Sequence, residues 1–267
     1  ELGLYAIGGG ASLVTNAKYR DPSAWMHVVF AVDTTQGTAA NRIKLYVNGT
    51  QVTSFSTETY PSADADMKIC GATMHIIGRV WNDAGAGGDA DFYLAETVLI
   101  DGTQYAASDF GEFDEDSPTI WKPKDVSGLT FGTNGYYLDF EASDNLGNDA
   151  NGGTDFTEVN LAAIDSSTDT PTNNFCVMNP LDNFKNQATF SEGNCKLVTA
   201  SSPYYYNTGT FGLSSGKWYY ECKVASSAPS DYNLIGIAGQ IGAGTAGDAE
   251  LGGTGTYSYG YHGNNGK

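Results

Sequence analysis

Apolar and polar side chains alternate in short runs along most of this chain, and the clearest case is "NRIKLYVNGTQVTSF" at 41–55. Ile43, Leu45 and Val47 fall on one face of an extended strand, and Lys44, Tyr46 and Asn48 on the other. Asn48-Gly49 then supplies the pair that a two-residue type I′ turn demands, because both central residues need φ above zero. The stretch predicts a β-hairpin. Just before it, "AWMHVVFAVD" (24–33) is apolar on both faces, which predicts a strand covered on both sides. Strand-like runs follow at "MKICGA" (67–72), "MHIIGRV" (74–80) and "ADFYLAETVLID" (90–101), separated by "YPSADAD" and by the Gly/Asp loop 81–91. No segment before residue 100 sustains a 3.6-residue apolar period. Short strands with regular turn punctuation predict an all-β chain built as antiparallel sandwiches.

The texture changes after residue 108. "DFGEFDEDSPTIWKPKDVSG" (109–128) is acidic and proline-bearing, and "DNLGNDANGGTDF" (144–156) and "DSSTDTPTNN" (165–174) are turn-rich and poor in apolar residues. Such stretches predict a connector, with one strand at "NGYYLDFEA" (134–142) that could return to the first sheet. From Phe175 strands resume at "CKLVTA", "PYYYNTGTFG", "KWYYECKV", "YNLIGIAG" and "TYSYGYH". The expected division is therefore a β-domain at 1–127, a connector at 128–174 and a second β-domain at 175–267. No internal repeat of 20 to 50 residues marks a solenoid or propeller.

Composition sharpens this picture. The 267 residues carry 31 Asp and Glu against 13 Lys and Arg, a net charge of −18. Such a surface repels phosphate, and no basic cluster interrupts it, which argues against DNA, RNA and anionic lipid as partners. Charged residues are only 16% of the chain, below the usual quarter or so. The remaining polarity comes from Gly, Ser, Thr, Asn and 17 Tyr, the composition of β-structure with many turns. No 18-residue apolar stretch predicts membrane insertion. Cys70, Cys176, Cys195 and Cys222 lack zinc-ligand spacing. In "KWYYECKV" (217–224) Trp218, Tyr220, Cys222 and Val224 share one face, which predicts Cys222 as a buried, reduced thiol in a protein assembled in a cytoplasm.

The residues "DPSAWMHVVFAVDTTQ…NRIKLYVNGTQVTSF…HIIGR…FYLAETVLIDG" resemble laminin-G-like modules of the concanavalin-like jelly-roll superfamily. "DTPTNNFCVMNPLDN" and then "FSEGNCKLVTASS…FGLSSGKWYYECKV…LIGIAG" resemble the start of a SPRY-type sandwich. The order of these modules resembles long structural proteins of tailed bacteriophages, especially marine ones. The resemblance implies a virion-surface tail fibre, capsid fibre or decoration protein that contacts other copies of itself and other virion proteins, and that could bind cell-surface polysaccharide. Measured against it, the sequence opens about halfway through a jelly roll and stops before a SPRY sandwich would close, which reads as an excerpt from a longer polypeptide.

Catalytic motifs are sparse. The superfamily includes glucanases, whose paired carboxylates commonly share a strand in an E-x-D-x-x-E pattern. Here "EFDEDS" gives Glu112 and Asp114, but Ser117 stands where the second Glu is needed, and the stretch reads as an acidic loop. No G-x-S-x-G elbow exists, and His27, His75 and His262 complete no triad; His27, between Met26 and Val28, reads as a core or sheet-face residue. Gly242, Gly244 and Gly247 have dinucleotide-fingerprint spacing, but a glycine-rich loop and strand follow where the fingerprint needs a helix. Neither an enzyme nor an organic cofactor is predicted.

Two binding readings remain. Asp144, Asn148, Asp149, Asn151 and Asp155 offer oxygen ligands that could hold calcium, although their spacing is not that of an EF-hand and short Asx-turns use the same residues. A glycan needs an aromatic plate beside hydrogen-bonding groups. Trp81 with Asn82 and Asp83 offers that combination, as do Tyr204, Tyr205 and Tyr206 in "PYYYN". The alternative for each run is that its rings pack inward or cover a neighbouring subunit.

Overall fold

A computed structural model describes residues 2–6, 10–21, 24–71, 74–78, 92–182, 186–200, 205–225, 233–239, 251 and 258–263. Fourteen strands and three short 3-10 turns make up the regular structure of these residues, with no α-helix among them. The fold is all-β, and its sheets are small. The chain divides into two compact units, residues 1–177 with 191–196, and residues 178–190 with 197–267.

The first unit carries two three-stranded antiparallel sheets. In one, β2 (Ala11–Thr15) lies between β1 (Gly3–Ala6) and β6 (Phe55–Thr59). In the other, β4 (Ile43–Val47) lies between β3 (Val28–Val32) and β5 (Thr50–Gln51). The core cluster takes Ala11 and Leu13 from the first sheet and Ile43 from the second, with Leu4, Val32, Phe55, Tyr60 and Met67 packed against it. Leu13, Ile43 and Leu45 are fully buried. Burial of each such side chain stabilises the fold by about 1.5–3 kcal/mol. Thr15 is the polar exception in this core, and its Oγ1 accepts from the Leu2 amide and donates to the Ala17 carbonyl.

The predicted hairpin forms. Val47 pairs with Thr50 across a two-residue turn in which Asn48 has φ +46° and Gly49 φ +73°, and Ile43 and Leu45 are the buried members of β4. Preceding it, β3 pairs with β4 over five residues, from Val28 opposite Val47 to Val32 opposite Ile43. That strand is not covered on both sides as its apolar run predicts, because Phe30 is exposed while Ala31 is buried.

Other runs depart further from the alternation pattern. Residues 67–71 form turns, since Cys70 takes φ +64° and the Gly71 amide bonds back to the Lys68 carbonyl, which removes the segment from any ladder. The described part of "MHIIGRV", residues 74–78, is likewise irregular. In 90–101 the strand β7 is confined to Thr97–Leu99, because Glu96 at φ +51° interrupts the extended backbone before it. β10 (Tyr136–Leu138) pairs antiparallel with β7, so "NGYYLDFEA" joins the first unit.

The acidic stretch 109–128 is more ordered than its composition predicts. β8 (Gly111–Phe113) and β9 (Trp121–Pro123) form a hairpin, with Glu112 opposite Lys122 and Phe113 opposite Trp121. Glu112 therefore lies on a strand, whereas Asp114 begins the loop and folds it by accepting from the Asp116 and Ser117 amides and from Lys122 Nζ. The alternation of two short strands was hidden by the carboxylates between them.

Among the described residues of the second unit the strands are fewer than the sequence predicts. β13 (Leu234–Ala238) and β14 (Ser258–His262) form an antiparallel ribbon, and Met178 bridges Gly209. β11 (Thr189–Ser191) and β12 (Lys196–Val198) make another two-stranded pair. "KWYYECKV" forms no strand, and Cys222 is exposed rather than buried. Alternation predicts burial only where a second layer covers one face, and neither face of 217–224 is covered among the described residues.

Candidate functional site

Trp81, Asn82, Asp83 and Tyr204 lie outside the described residues. Tyr205 and Tyr206 are half-buried on irregular backbone, and the chain just beyond them is tied down within the second unit. Thr208 accepts from the Asn179 amide at 2.7 Å through its carbonyl, and its Oγ1 donates to Asp182 at 2.6 Å. Neither tyrosine is fully exposed.

The exposed rings of the second unit lie elsewhere. Trp218 is 62% exposed, Tyr219 81% and Tyr220 57%. Trp218 Nε1 donates to the Ser215 carbonyl at 2.8 Å, which fixes the indole beside Gly216, and the Tyr219 hydroxyl donates to Glu221. On the β13–β14 ribbon, Ile237 stands opposite Tyr259 and Ile235 opposite Tyr261, so the four side chains share one face. Tyr259 is 80% exposed and Tyr261 59%. Their Cα atoms, two residues apart on one strand, are separated by about 7 Å. Such a face offers apolar rings to C–H groups and phenol hydroxyls to a polar ligand. The signal in the sequence was tyrosine at every second position of "YSYGY".

The loop read for calcium is held by its own backbone. Asp149, only 6% exposed, accepts from the Tyr137 amide at 2.9 Å and the Asn151 amide at 3.1 Å through one carboxylate oxygen. Asp155 accepts from the Asp149 amide at 3.1 Å and from Asn145 Nδ2 at 2.9 Å, and these bonds, the Asn145 one foremost, hold its carboxyl below the usual range. Asn148 donates its amide to the Asn145 carbonyl, and Asp144 occupies the preceding turn. Glu158 closes the loop by accepting from the Leu146 and Gly147 amides. No group of three or more His, Cys, Asp or Glu side chains is gathered for a metal ion among the described residues. Of the five, Asp149 and Asp155 spend their carboxylates on backbone N–H groups around β10.

Glu96, which the sequence did not single out, and His27, which it read as a core or sheet-face residue, carry perturbed proton affinities. The Glu96 carboxyl, beside β7, is pushed up chiefly by burial and further by Asp139 and Glu141, while the hydroxyl of Tyr137 donates to it and opposes the shift. His27 precedes β3 and is pushed down by burial. Its Nδ1 accepts from Trp121 Nε1 at 2.9 Å, with ring centroids 6.0 Å apart, and its backbone amide donates to Asn48 Oδ1 at 2.8 Å. It is a partnered, half-buried side chain at the entry to the sheet, beside the hairpin turn.

Comparison with known proteins adds no identification to this geometry: no protein-family model matches the chain, and no curated protein or solved structure matches it.

Proposed function

We propose that this chain is a non-enzymatic adhesion component of a tailed-bacteriophage particle, in which a laminin-G-like jelly roll and a SPRY-like sandwich present shallow sites to cell-surface glycan. The observation that carries the adhesive part is the concentration of exposed rings in the second unit, with Trp218, Tyr219 and Tyr220 on one segment and Tyr259 and Tyr261 on one sheet face. Support for the module assignment comes from the ordered resemblance along the sequence, and from a first-unit core drawn from two three-stranded sheets. The site takes its affinity from repetition. A single sugar against one or two tyrosines binds weakly, and many copies on one particle raise the effective concentration at a cell surface. With a net charge of −18, the ligand is a neutral glycan, since an acidic one is repelled.

The test is retention of the chain, displayed in many copies on beads, by surface polysaccharides from a panel of bacteria. Retention of the native chain that is lost in the Tyr259→Ser, Tyr261→Ser double variant supports the reading. No retention on any polysaccharide overturns it.

A second reading is a scaffold without sugar binding, and the half-buried Tyr205 and Tyr206 favour it. On that reading the exposed rings cover neighbouring virion subunits, and sedimentation shows concentration-dependent self-association with no glycan retention.

A further inference from the structure

The hairpin that the sequence announces most clearly is gripped by a second hairpin. Gly49, at the tip of the β4–β5 turn, lies under the Trp121 ring so closely that a Cβ built on it would come within 2.2 Å of the indole. Gly111 of β8 lies under the same ring, where a Cβ would be 2.3 Å from Trp121 Nε1. Phe113 meets the indole edge-on at 4.9 Å. The ring is thus seated on two glycines and one phenylalanine, and its only N–H points at His27 Nδ1. Since that nitrogen accepts, the neutral imidazole carries its proton on Nε2.

We propose that His27 and Trp121 form an acid-releasable latch, which holds the β8–β9 hairpin on the Asn48-Gly49 turn while the imidazole is neutral and lets it go when the imidazole takes a second proton.

The chemistry is a donor–acceptor conflict. Protonation from solvent places an N–H on Nδ1, directly opposite the indole N–H, so the hydrogen bond is replaced by two donors facing each other. Indole has no acceptor with which to re-form it. Among the described residues, no charged group is recorded against His27 to compensate the cation. From the β4–β5 turn, Asn48 already accepts from the His27 amide, and Gly49 lies against the Trp121 ring. From β8, Gly111 and Phe113 flank the Trp121 ring, and Glu112 between them projects to the other face of the strand. On β9, Lys122 next to Trp121 shares that other face with Glu112 and is engaged by Asp114 at 3.2 Å. No carboxylate enters among the causes of the His27 shift, and burial alone lowers its proton affinity.

The sign follows from this. A histidine whose folded pKa lies below its unfolded value of 6.5 contributes stability that is fully present above 6.5 and is lost as the pH falls from there through the folded value. With one proton involved, the opened fraction of the latch rises by at most about tenfold per pH unit over that window.

Nuclear magnetic resonance of the full chain from pH 8 to pH 5 tests the proposal. His27 ring protons should titrate with a midpoint below 6.5, and the Trp121 indole N–H resonance should move with the same midpoint. Hydrogen-exchange protection at the Asp114 and Lys124 amides, which bond to the Ile120 and Phe110 carbonyls across the β8–β9 hairpin, should fall in step, up to about tenfold per unit after correction for intrinsic exchange. In His27→Asn, whose Oδ1 accepts without titrating, protection at pH 7.5 should be kept and its acid dependence abolished. An indole resonance that stays fixed while His27 titrates overturns the latch, as does a His27 midpoint at or above 6.5. If His27→Asn does not fold, the native titration alone decides between these outcomes.

Discussion

Replacing Gly49 by alanine separates two reasons for a glycine at the hairpin tip. At φ +73° an L-residue costs about 1–2 kcal/mol on conformational grounds alone. The new methyl would also stand 2.2, 2.4 and 2.7 Å from three carbons of the Trp121 ring. Phe113 abuts the ring edge-on and Gly111 lies against its Nε1 edge, so moving the ring disturbs both contacts. Displacing it sacrifices the His27 hydrogen bond, worth about 0.5–1.5 kcal/mol, and the Phe113 contact, worth a similar amount. The expected loss is therefore about 2–5 kcal/mol in all. Gly102 provides the internal control, because it has φ +84° with nothing within 4 Å of a built Cβ, so Gly102→Ala should show the conformational cost alone. A double-mutant cycle with Trp121→Ala isolates the packing part. The assay is hydrogen exchange at the Val52 amide, which bonds to the Leu45 carbonyl at 2.8 Å and reports opening of the hairpin locally. If Gly49→Ala costs the same with and without Trp121, to within about 0.5 kcal/mol, the coupling argument is refuted.

The remaining predictions concern the carboxylates, the cysteines and one tryptophan. Asp149→Ala should lower thermal stability by the equivalent of about 2–4 kcal/mol, since the Tyr137 and Asn151 amides lose a charged acceptor, and calorimetry should show Asp149→Asn losing less. Millimolar calcium should leave the melting temperature of the native chain unchanged, because the loop carboxylates already accept from N–H groups; a concentration-dependent rise would revive the ion site. For Glu96, whose folded pKa is raised above its unfolded 4.5, stability falls as pH rises from 4.5 through the folded value, so Glu96→Gln should melt higher than native at pH 7 and lose that advantage near pH 4.5. A thiol reagent followed by mass spectrometry should label exposed Cys222 well before Cys70, which is half-buried and whose thiol is pushed up by burial and by Asp101. Trp25→Phe removes the Nε1 donor to Asp169 and should reduce exchange protection at the Phe175 amide, which the same carboxylate holds.

Local chemistry was legible in the sequence wherever one short segment decides the outcome. Asn48-Gly49 announces its turn because positive φ at two successive residues is a property of those residues, and Ile43 and Leu45 announce their burial because a strand has a period of two. The all-β character followed in the same way. The Asx-turn alternative for 144–155 was also readable, although which amides the carboxylates take was not.

What the tertiary structure alone decided is where distant segments meet. Trp121, 72 positions beyond Gly49, covers the turn and bonds His27, and nothing in the local pattern of either segment records that meeting. Strand sequence without a covering layer reads the same as strand sequence with one, which is why "KWYYECKV" predicted a buried Cys222 and the fold exposes it. The tyrosines of β14 became a candidate surface for the same reason, because exposure belongs to the neighbours that a strand has and not to its own alternation.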